Sequence, residues 1–405
     1  MSDFHQSGGV ATLHNLGQRP VEDLERRLNL FAEKRKITLI LPSLYSELET
    51  PALAGIVDEL QGAGYVDHIV IGLDQADAAQ FAHARDYFAR LPQRHDILWN
   101  DGPRLRAIHD DLAAANLAPG EAGKGRNVWY CMGHVLASAG SDVVALHDCD
   151  IVSYRREMLT RLVYPVANPE FPYQFCKGYY ARIGQRKLGG RVTRLLVTPL
   201  ILALQKCFGQ NDYLDYLRAF RYPLAGEFAM RTAMLPDMRI PSDWGLEIGV
   251  LSEVWRNLSR HAVCQADIAD TYDHKHQPLS EDDASQGLAR MSMDISKALF
   301  RKLATDGVTF STEHFRTLKA TYYRIALDLL EMYYNDAKMN GLALDRHVEE
   351  KAVELFAANI VEAGNIFLDN PMETPFIPNW SRIQAARPDI LQRIRTAVRE
   401  DAEGG

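Results

Sequence analysis

A mostly parallel α/β sheet flanked by helices, followed by an all-helical C-terminal region, is the fold class that three features of this 405-residue chain predict. Short apolar runs alternate with amphipathic stretches from Ile37 to Leu146, which is the signature of strand-helix-strand units covered on both faces. Polar and acidic residues gather in the loops that end those runs, where ligands of open α/β sheets sit. From about residue 281 onward only helical periodicity is left. At 47% hydrophobic and 24% charged residues, the composition is that of a soluble globular chain with room for one large unit and a smaller one.

The elements follow in order. Residues 1–36 are polar, and Leu24, Leu28 and Phe31 recur at helical spacing, so this segment reads as an accessory helix. Ile37–Pro42 is a strand that ends at a proline, followed by a helix over roughly 51–63. Val66–Leu73 is a second strand, followed by the alanine-rich helix 76–90; Ile97–Trp99, a helix near 104–115, a helix over 125–138 and the strand Val143–Leu146 continue the pattern. Beyond 281, Leu288, Met291, Ile295, Leu299 and Leu303 form one stripe. Leu318, Tyr322, Ile325, Leu329 and Tyr333 form a second, and Val353, Phe356 and Ile360 begin a third. The expected division is 1–36, 37–280 and 281–405. Because the stripes carry Tyr322, Tyr333 and Phe356, either the rest of the chain or a second subunit must cover them, and a homodimer is the favoured expectation.

Charge and composition exclude several classes of function. Fifty-three acidic against 45 basic residues give a net charge of −8, which disfavours nucleic-acid binding. No apolar run approaches the roughly 20 residues of a membrane span, and the start lacks the basic and apolar segments of a secretory leader, so a cytoplasmic location and no membrane partner are expected. The five cysteines form no Cys-x-x-Cys pair and read as reduced thiols.

The strongest chemical signal is Val143-Val-Ala-Leu-His-Asp148-Cys-Asp150. A buried strand that delivers two carboxylates one residue apart suits a hard cation, Mg²⁺ or Mn²⁺, whose shell is completed by phosphates and water. Two chemistries compete for it: an Asp-x-Asp glycosyltransferase, in which the metal bridges a nucleotide-sugar diphosphate, and a phosphatase with Asp148 as nucleophile. The phosphatase pattern wants its motif on the first strand and a later Gly-Asp loop; three strands precede Asp148 and the chain contains no Gly-Asp dipeptide. Gly123-Lys124-Gly125 and Gly189-Gly190-Arg191-Val192-Thr193 each open a predicted helix, 125–138 and 192–207, and suit anions through free N–H groups and local positive charge. His274-Lys275-His276 presents two imidazoles on one side of an extended segment, and one of them suits the metal shell.

The order of these segments, with Pro42-Ser-Leu44, Lys177-Gly-Tyr-Tyr180, Pro223-Leu224-Ala-Gly-Glu227, Gly245-Leu-Glu247-Ile-Gly249 and His274-x-His276-x-Pro-Leu, resembles the glucosyl-3-phosphoglycerate synthases. These are retaining GT-A glycosyltransferases related to mannosyl-3-phosphoglycerate and mannosylglycerate synthases. The resemblance covers residues 37 to about 280 and implies transfer of glucose from UDP-glucose to 3-phospho-D-glycerate, giving glucosyl-3-phosphoglycerate for the compatible solute glucosylglycerate. It implies that Pro42, Ser43, Leu44, Glu47, Gln75 and Leu224 bind the nucleotide sugar together with Lys124, Asp148 and Glu247. Asp150 and His274 would hold Mg²⁺ or Mn²⁺; Gly190, Arg191, Thr193 and His276 would hold the acceptor. Catalysis would rest on Asp148, Asp150, Glu247 and Lys124.

Two departures from the family pattern bear on specificity. Tyr45 and Ser46 stand where Asn and Glu are usual in Pro-Ala-Leu-Asn-Glu-Glu, and His274-Lys275-His276-Gln277 replaces the mycobacterial His-Arg-Asn-Arg. GDP-mannose as donor and free glycerate as acceptor therefore stay open beside the main reading. From other classes, a sugar-phosphate phosphatase and an inactive nucleotide-binding scaffold stay open as well.

Overall fold

The computed structural model describes residues 6, 8–17, 19–120, 122–274, 287–372 and 376–404. The chain opens with strand β1 (Ala11–Leu13) and helix α1 (Val21–Ala32). It then alternates through β2 (Ile37–Leu44), α2 (Pro51–Leu60), β3 (Val66–Asp74), α3 (Ala78–Phe88), β4 (Arg94–Trp99), α4 (Pro103–Ala114), α5 (Lys124–Ser138), β5 (Val143–Leu146) and α6 (Arg156–Ala167). Local chemistry sets the boundaries. Thr50 caps α2 ahead of Pro51, Asp77 and Gln80 form a reciprocal capping box on α3, and Pro103 opens α4 with its φ already suited to a helix.

The second half of the sheet is built from β6 (Phe175–Tyr180), β9 (Phe228–Arg231) and β10 (Val263–Ala269). A small hairpin, β7 (Ile183–Gly184) and β8 (Lys187–Leu188), follows β6; α7 (Thr198–Phe208), α8 (Asp212–Ala219) and α9 (Leu246–Asn257) separate the other strands. The eight-stranded sheet runs β1-β10-β6-β9-β5-β2-β3-β4, and β9 is antiparallel to both β5 and β6 while the other pairs are parallel. The carboxyl ends of β2, β3, β5 and β6 and the amino end of β9 therefore meet at one edge, where ligands of such sheets bind.

Three features depart from the expected elements. Residues 1–36 hold more than a helix, since Ala11–Leu13 pairs with β10 as an edge strand. The helix expected over 192–207 begins as a π-helical segment, Val192–Val197, before α7. Strands β6, β9 and β10 had no clear signal: β6 carries Lys177 and Gly178 in its middle, β10 is interrupted by Gln265 and Asp267, and β9 has only four residues. Pairing with distant segments, not local pattern, forms them.

The helical region comprises α10 (Gly287–Thr305), α11 (Thr312–Met339), α12 (Arg346–Asp369), α13 (Trp380–Ala386) and α14 (Ile390–Ala402). It packs against the helices and strands of the sheet. Trp380 stacks on Trp129 of α5 with ring centroids 4.0 Å apart, and each indole N–H donates to the other segment's backbone. A Cβ at Gly133 would collide with the Trp380 ring, so glycine there admits the indole. Asp401 of α14 takes Arg104 at 2.6 Å, and Asp111 takes Arg393 at 2.7 Å. Tyr322 and Phe356 are fully buried within this chain, and Tyr333 lies beneath the Arg194 guanidinium. Tyr322 and Phe356 are thus covered within the chain, while Ile325, Leu329 and Tyr333 of the second stripe are half-buried.

Candidate active site

Strand register assembles the residues expected to bind the donor. Leu44 pairs with Asp74 and Ile40 with Leu146, so the residues after each strand emerge side by side. Pro42, Ser43 and Leu44 end β2; Glu47, itself buried, follows in a 3-10 turn, and Leu44 leaves over a third of its surface exposed at the mouth. Gln75 takes a left-handed φ of 58° at the end of β3, with its N–H on Asp101 at 2.6 Å. That turn is braced by Asp74, which accepts from Asn100 and Arg126 at 3.0 Å and from Asn127 at 3.1 Å. Leu224 is half-buried in the loop before β9.

Asp148 leaves β5 against Gly226, where a Cβ would collide with its carboxylate. The glycine of Pro223-Leu-Ala-Gly-Glu227 therefore lets the two loops close on each other. Lys124, the first residue of α5, places its ammonium 2.6 Å from Asp148 and 3.1 Å from Glu247 of α9. Gly125 next to it fits because a Cβ would strike the backbone of Pro241. Burial pulls the Lys124 amine down, but Asp148 and Glu247 more than reverse this and hold it protonated. Burial likewise raises the Asp148 carboxyl, and Lys124 more than compensates, so Asp148 is held below its ordinary value.

Asp150 makes no ion pair with a lysine or arginine among the described residues, and Lys124 pulls on its carboxyl only from further away. Burial, and then the Asp148 charge, push it up to about 7. His274 Nδ1 stands 3.9 Å from Asp150 Oδ2, held there by a bridge between Ile151 and His274 and by the Val152 N–H on Asp273 O at 2.9 Å. One carboxylate and one imidazole at this spacing are ligand types that could hold a low-count Mg²⁺ or Mn²⁺ ion. Buried His147, adjacent in sequence, is driven down to about 3 by burial and stays neutral.

In the segment expected to hold the acceptor, Gly190 takes a φ of 71°, Arg194 N–H donates to Gly190 O, and the chain turns into the helix. Arg191 is half-buried; Thr193 is buried, and its hydroxyl has no hydrogen-bond partner among the described residues. The Arg191 Nε donates to Glu349 of α12 at 2.9 Å, an engagement with the C-terminal region that no motif announced. His276 lies outside the described residues. Gly190 approaches Tyr222, Tyr222 lies against Tyr180, and Tyr180 stacks on Tyr272 at 3.8 Å, which links this segment to the chain leading into His274.

Glu227 and Lys177 belong to the site although sequence reasoning assigned them no role. Glu227 is fully buried and accepts from the Tyr180 and Tyr272 hydroxyls at 2.7 Å each, and burial, then Asp148, raises its carboxyl. Lys177 is buried on β6 over the Phe228 ring, and burial lowers its amine to about 8 against the pull of Glu247 and Glu227. Both stand inside motifs that carry the family resemblance, Lys177 within β6 and Glu227 just before β9, and that membership was the available signal. Among the described residues, His68, Asp96 and His134 also gather closely enough to hold a metal. They sit toward the opposite end of the sheet, where Asp96 already accepts from both imidazoles at 2.9 and 2.8 Å and Arg94 lies 3.8 Å away. That cluster is closed by hydrogen bonds and carries a competing cation.

No protein-family model matches the chain. It is 43% identical over 401 residues to the glucosyl-3-phosphoglycerate synthase of Persephonella marina, covering 99% of each chain. To that of Methanococcoides burtonii it is 37% identical over 406 residues, covering 99% of this chain and 98% of the relative. Among solved structures, the glucosyl-3-phosphoglycerate synthase of Mycobacterium tuberculosis in complex with Mn²⁺, UDP-glucose and phosphoglyceric acid superposes with a TM-score of 0.53 at 23% identity, over 75% of this chain and 89% of that one. This likeness gives the GT-A fold. Taken with the full-length identity to two named relatives, it follows that the chain belongs to the glucosyl-3-phosphoglycerate synthase family.

Proposed function

We propose that the protein transfers glucose from UDP-glucose to 3-phospho-D-glycerate with retention of configuration, using Mg²⁺ or Mn²⁺, and yields glucosyl-3-phosphoglycerate. The observation that carries this reading is the Lys124 ammonium shared between Asp148 and Glu247 beside the Asp150 and His274 pair. Such an arrangement puts fixed positive charge at the place where a diphosphate would leave, and a carboxylate where sugar hydroxyls would lie. When bound, the cation supplies Lewis-acid neutralisation of the departing diphosphate; Asp150 and His274 would hold it. Lys124 and the N-terminus of α5 stabilise the leaving charge, and Glu247 orients the sugar. Pro42, Ser43, Leu44, Glu47, Gln75 and Leu224 frame the nucleotide.

Gly190, Arg191 and Thr193 form the anion cradle for the acceptor, aimed so that its hydroxyl meets the anomeric carbon on the face the diphosphate leaves. The acceptor proton then passes to a leaving phosphate oxygen. In this reading residues 37–280 form the catalytic unit and 281–405 the helical region. A cytoplasmic location belongs to the same reading: the five cysteines are free thiols, four of them buried, which suits a reducing compartment.

The test is incubation with UDP-glucose, 3-phosphoglycerate and Mn²⁺, read by UDP release and by NMR of the product's anomeric proton. An α-linked glucosyl-3-phosphoglycerate is expected. Transfer from GDP-mannose in preference, or equal use of unphosphorylated glycerate, would replace the donor or acceptor half of the reading; phosphate release without nucleotide would replace the whole.

A further inference from the structure

We infer that Glu349, on α12 of the helical region, is a positioning residue for acceptor binding, holding the Arg191 guanidinium in place. The inference rests on the reading of Gly190, Arg191 and Thr193 as the acceptor's anion cradle. Glu349 is 4% exposed and its two oxygens are divided between two arginines: Oε1 accepts from Arg191 Nε at 2.9 Å and Oε2 from Arg194 Nη2 at 2.8 Å. Arg194 is itself pinned, its Nε on Gly189 O at 2.7 Å and its guanidinium over the Tyr333 ring. The buried pair Glu349 and Arg194 thus forms a fixed base, and the more exposed Arg191 is the arm that it steadies.

Further contacts tie the same segment to the helical region. Leu188 N–H donates to Ala343 O at 3.2 Å, Ala343 N–H to Arg186 O at 2.8 Å, and the Tyr322 hydroxyl to Leu195 O at 2.5 Å. The loop between α11 and α12 and the helices on either side therefore grip residues 186–195 along their length.

The chemistry separates positioning from competition. A carboxylate beside an anion site could simply occupy the arginine. Here it uses Nε, and the two Nη groups of Arg191 carry no hydrogen bond to another described residue. One carboxylate between two guanidiniums leaves one net positive charge, so the cradle stays attractive to an anion. An arginine without such a brace keeps its rotamer freedom and must lose it on binding. The C-terminal helices in this way become part of acceptor recognition, although the proposed chemistry is on the sheet domain.

The experiment uses the full chain and compares Glu349→Gln, Glu349→Asp and Arg191→Ala with wild type. The Michaelis constants for the acceptor, 3-phosphoglycerate, and for the donor, UDP-glucose, are measured together with kcat and melting temperature. For Glu349→Gln the acceptor constant is expected to rise by at least about tenfold, with kcat at saturating acceptor and the donor constant within about twofold of wild type. Glu349→Asp, which restores the charge, should fall between the two. An unchanged or lowered acceptor constant in folded Glu349→Gln, or equal loss in all three kinetic parameters, overturns the inference. If Glu349→Gln does not fold, Glu349→Asp decides by the same split. An acceptor constant unchanged in Arg191→Ala removes instead the cradle reading on which the inference rests.

Discussion

Lys124 Nζ lies between Asp148 and Glu247, at 2.6 and 3.1 Å, and thereby joins the start of α5, the end of β5 and the start of α9 at one point. Three segments separated by 123 residues along the chain meet through a single ammonium. Its two carboxylate partners keep it charged, so the site presents a ready cation before any nucleotide arrives.

Lys124→Met is expected to keep the fold and lose most of kcat. Removing one preorganised electrostatic partner of a transition state costs about 3 kcal/mol, or about a hundredfold or more in rate. Steady-state turnover at saturating substrates, with circular dichroism as the control, checks this; wild-type kcat in the variant removes Lys124 from the chemistry.

Metal binding should depend on pH through Asp150. Its carboxyl is raised to about 7 in the metal-free protein, so below that pH a proton occupies the group and must leave before a cation binds. Mn²⁺ affinity, followed by electron paramagnetic resonance of the free ion, should therefore weaken progressively as the pH is lowered through that value, and Asp150→Asn should flatten that dependence as well as lower affinity. His274→Ala should lower affinity through the lost nitrogen ligand.

Arg191 and Glu247 should separate acceptor from donor. Truncating one partner of a close charge pair costs about 2 to 5 kcal/mol, so Arg191→Ala should raise the Michaelis constant for the acceptor by one or more orders of magnitude with little effect on UDP affinity. Glu247→Gln should impair use of the sugar donor and spare the acceptor. Titration of both variants with UDP and with 3-phosphoglycerate decides it; a loss of UDP affinity in Arg191→Ala as severe as the acceptor loss moves Arg191 to the donor site.

Trp380→Ala should destabilise the protein while sparing the chemistry at saturating substrate. The indole is fully buried on Trp129, and removing so large a core side chain costs about 3 to 5 kcal/mol. Urea denaturation should show a lower midpoint. A midpoint equal to wild type means that α13 and α14 contribute nothing to the stability of the sheet domain.

The sequence by itself determined the frame and the chemistry of this protein. Apolar runs from Ile37 to Leu146 announced the parallel half of the sheet, because a strand covered on both faces must be apolar throughout. Asp148, Asp150 and Lys124 stood out because charge and glycine at the ends of such runs have few structural uses, and the family resemblance added Glu247. Tertiary structure alone decided which of these meet. That Lys124 is shared by two carboxylates, that Glu227 is buried under two tyrosine hydroxyls and that Glu349 reaches back across 158 residues to Arg191 are products of long-range packing. Strands β6, β9 and β10 were hidden because polar residues break the apolar runs of β6 and β10, β9 has only four residues, and their partners come from distant segments. Periodicity records which face of an element is covered, and the identity of what covers it is fixed only when the chain has folded.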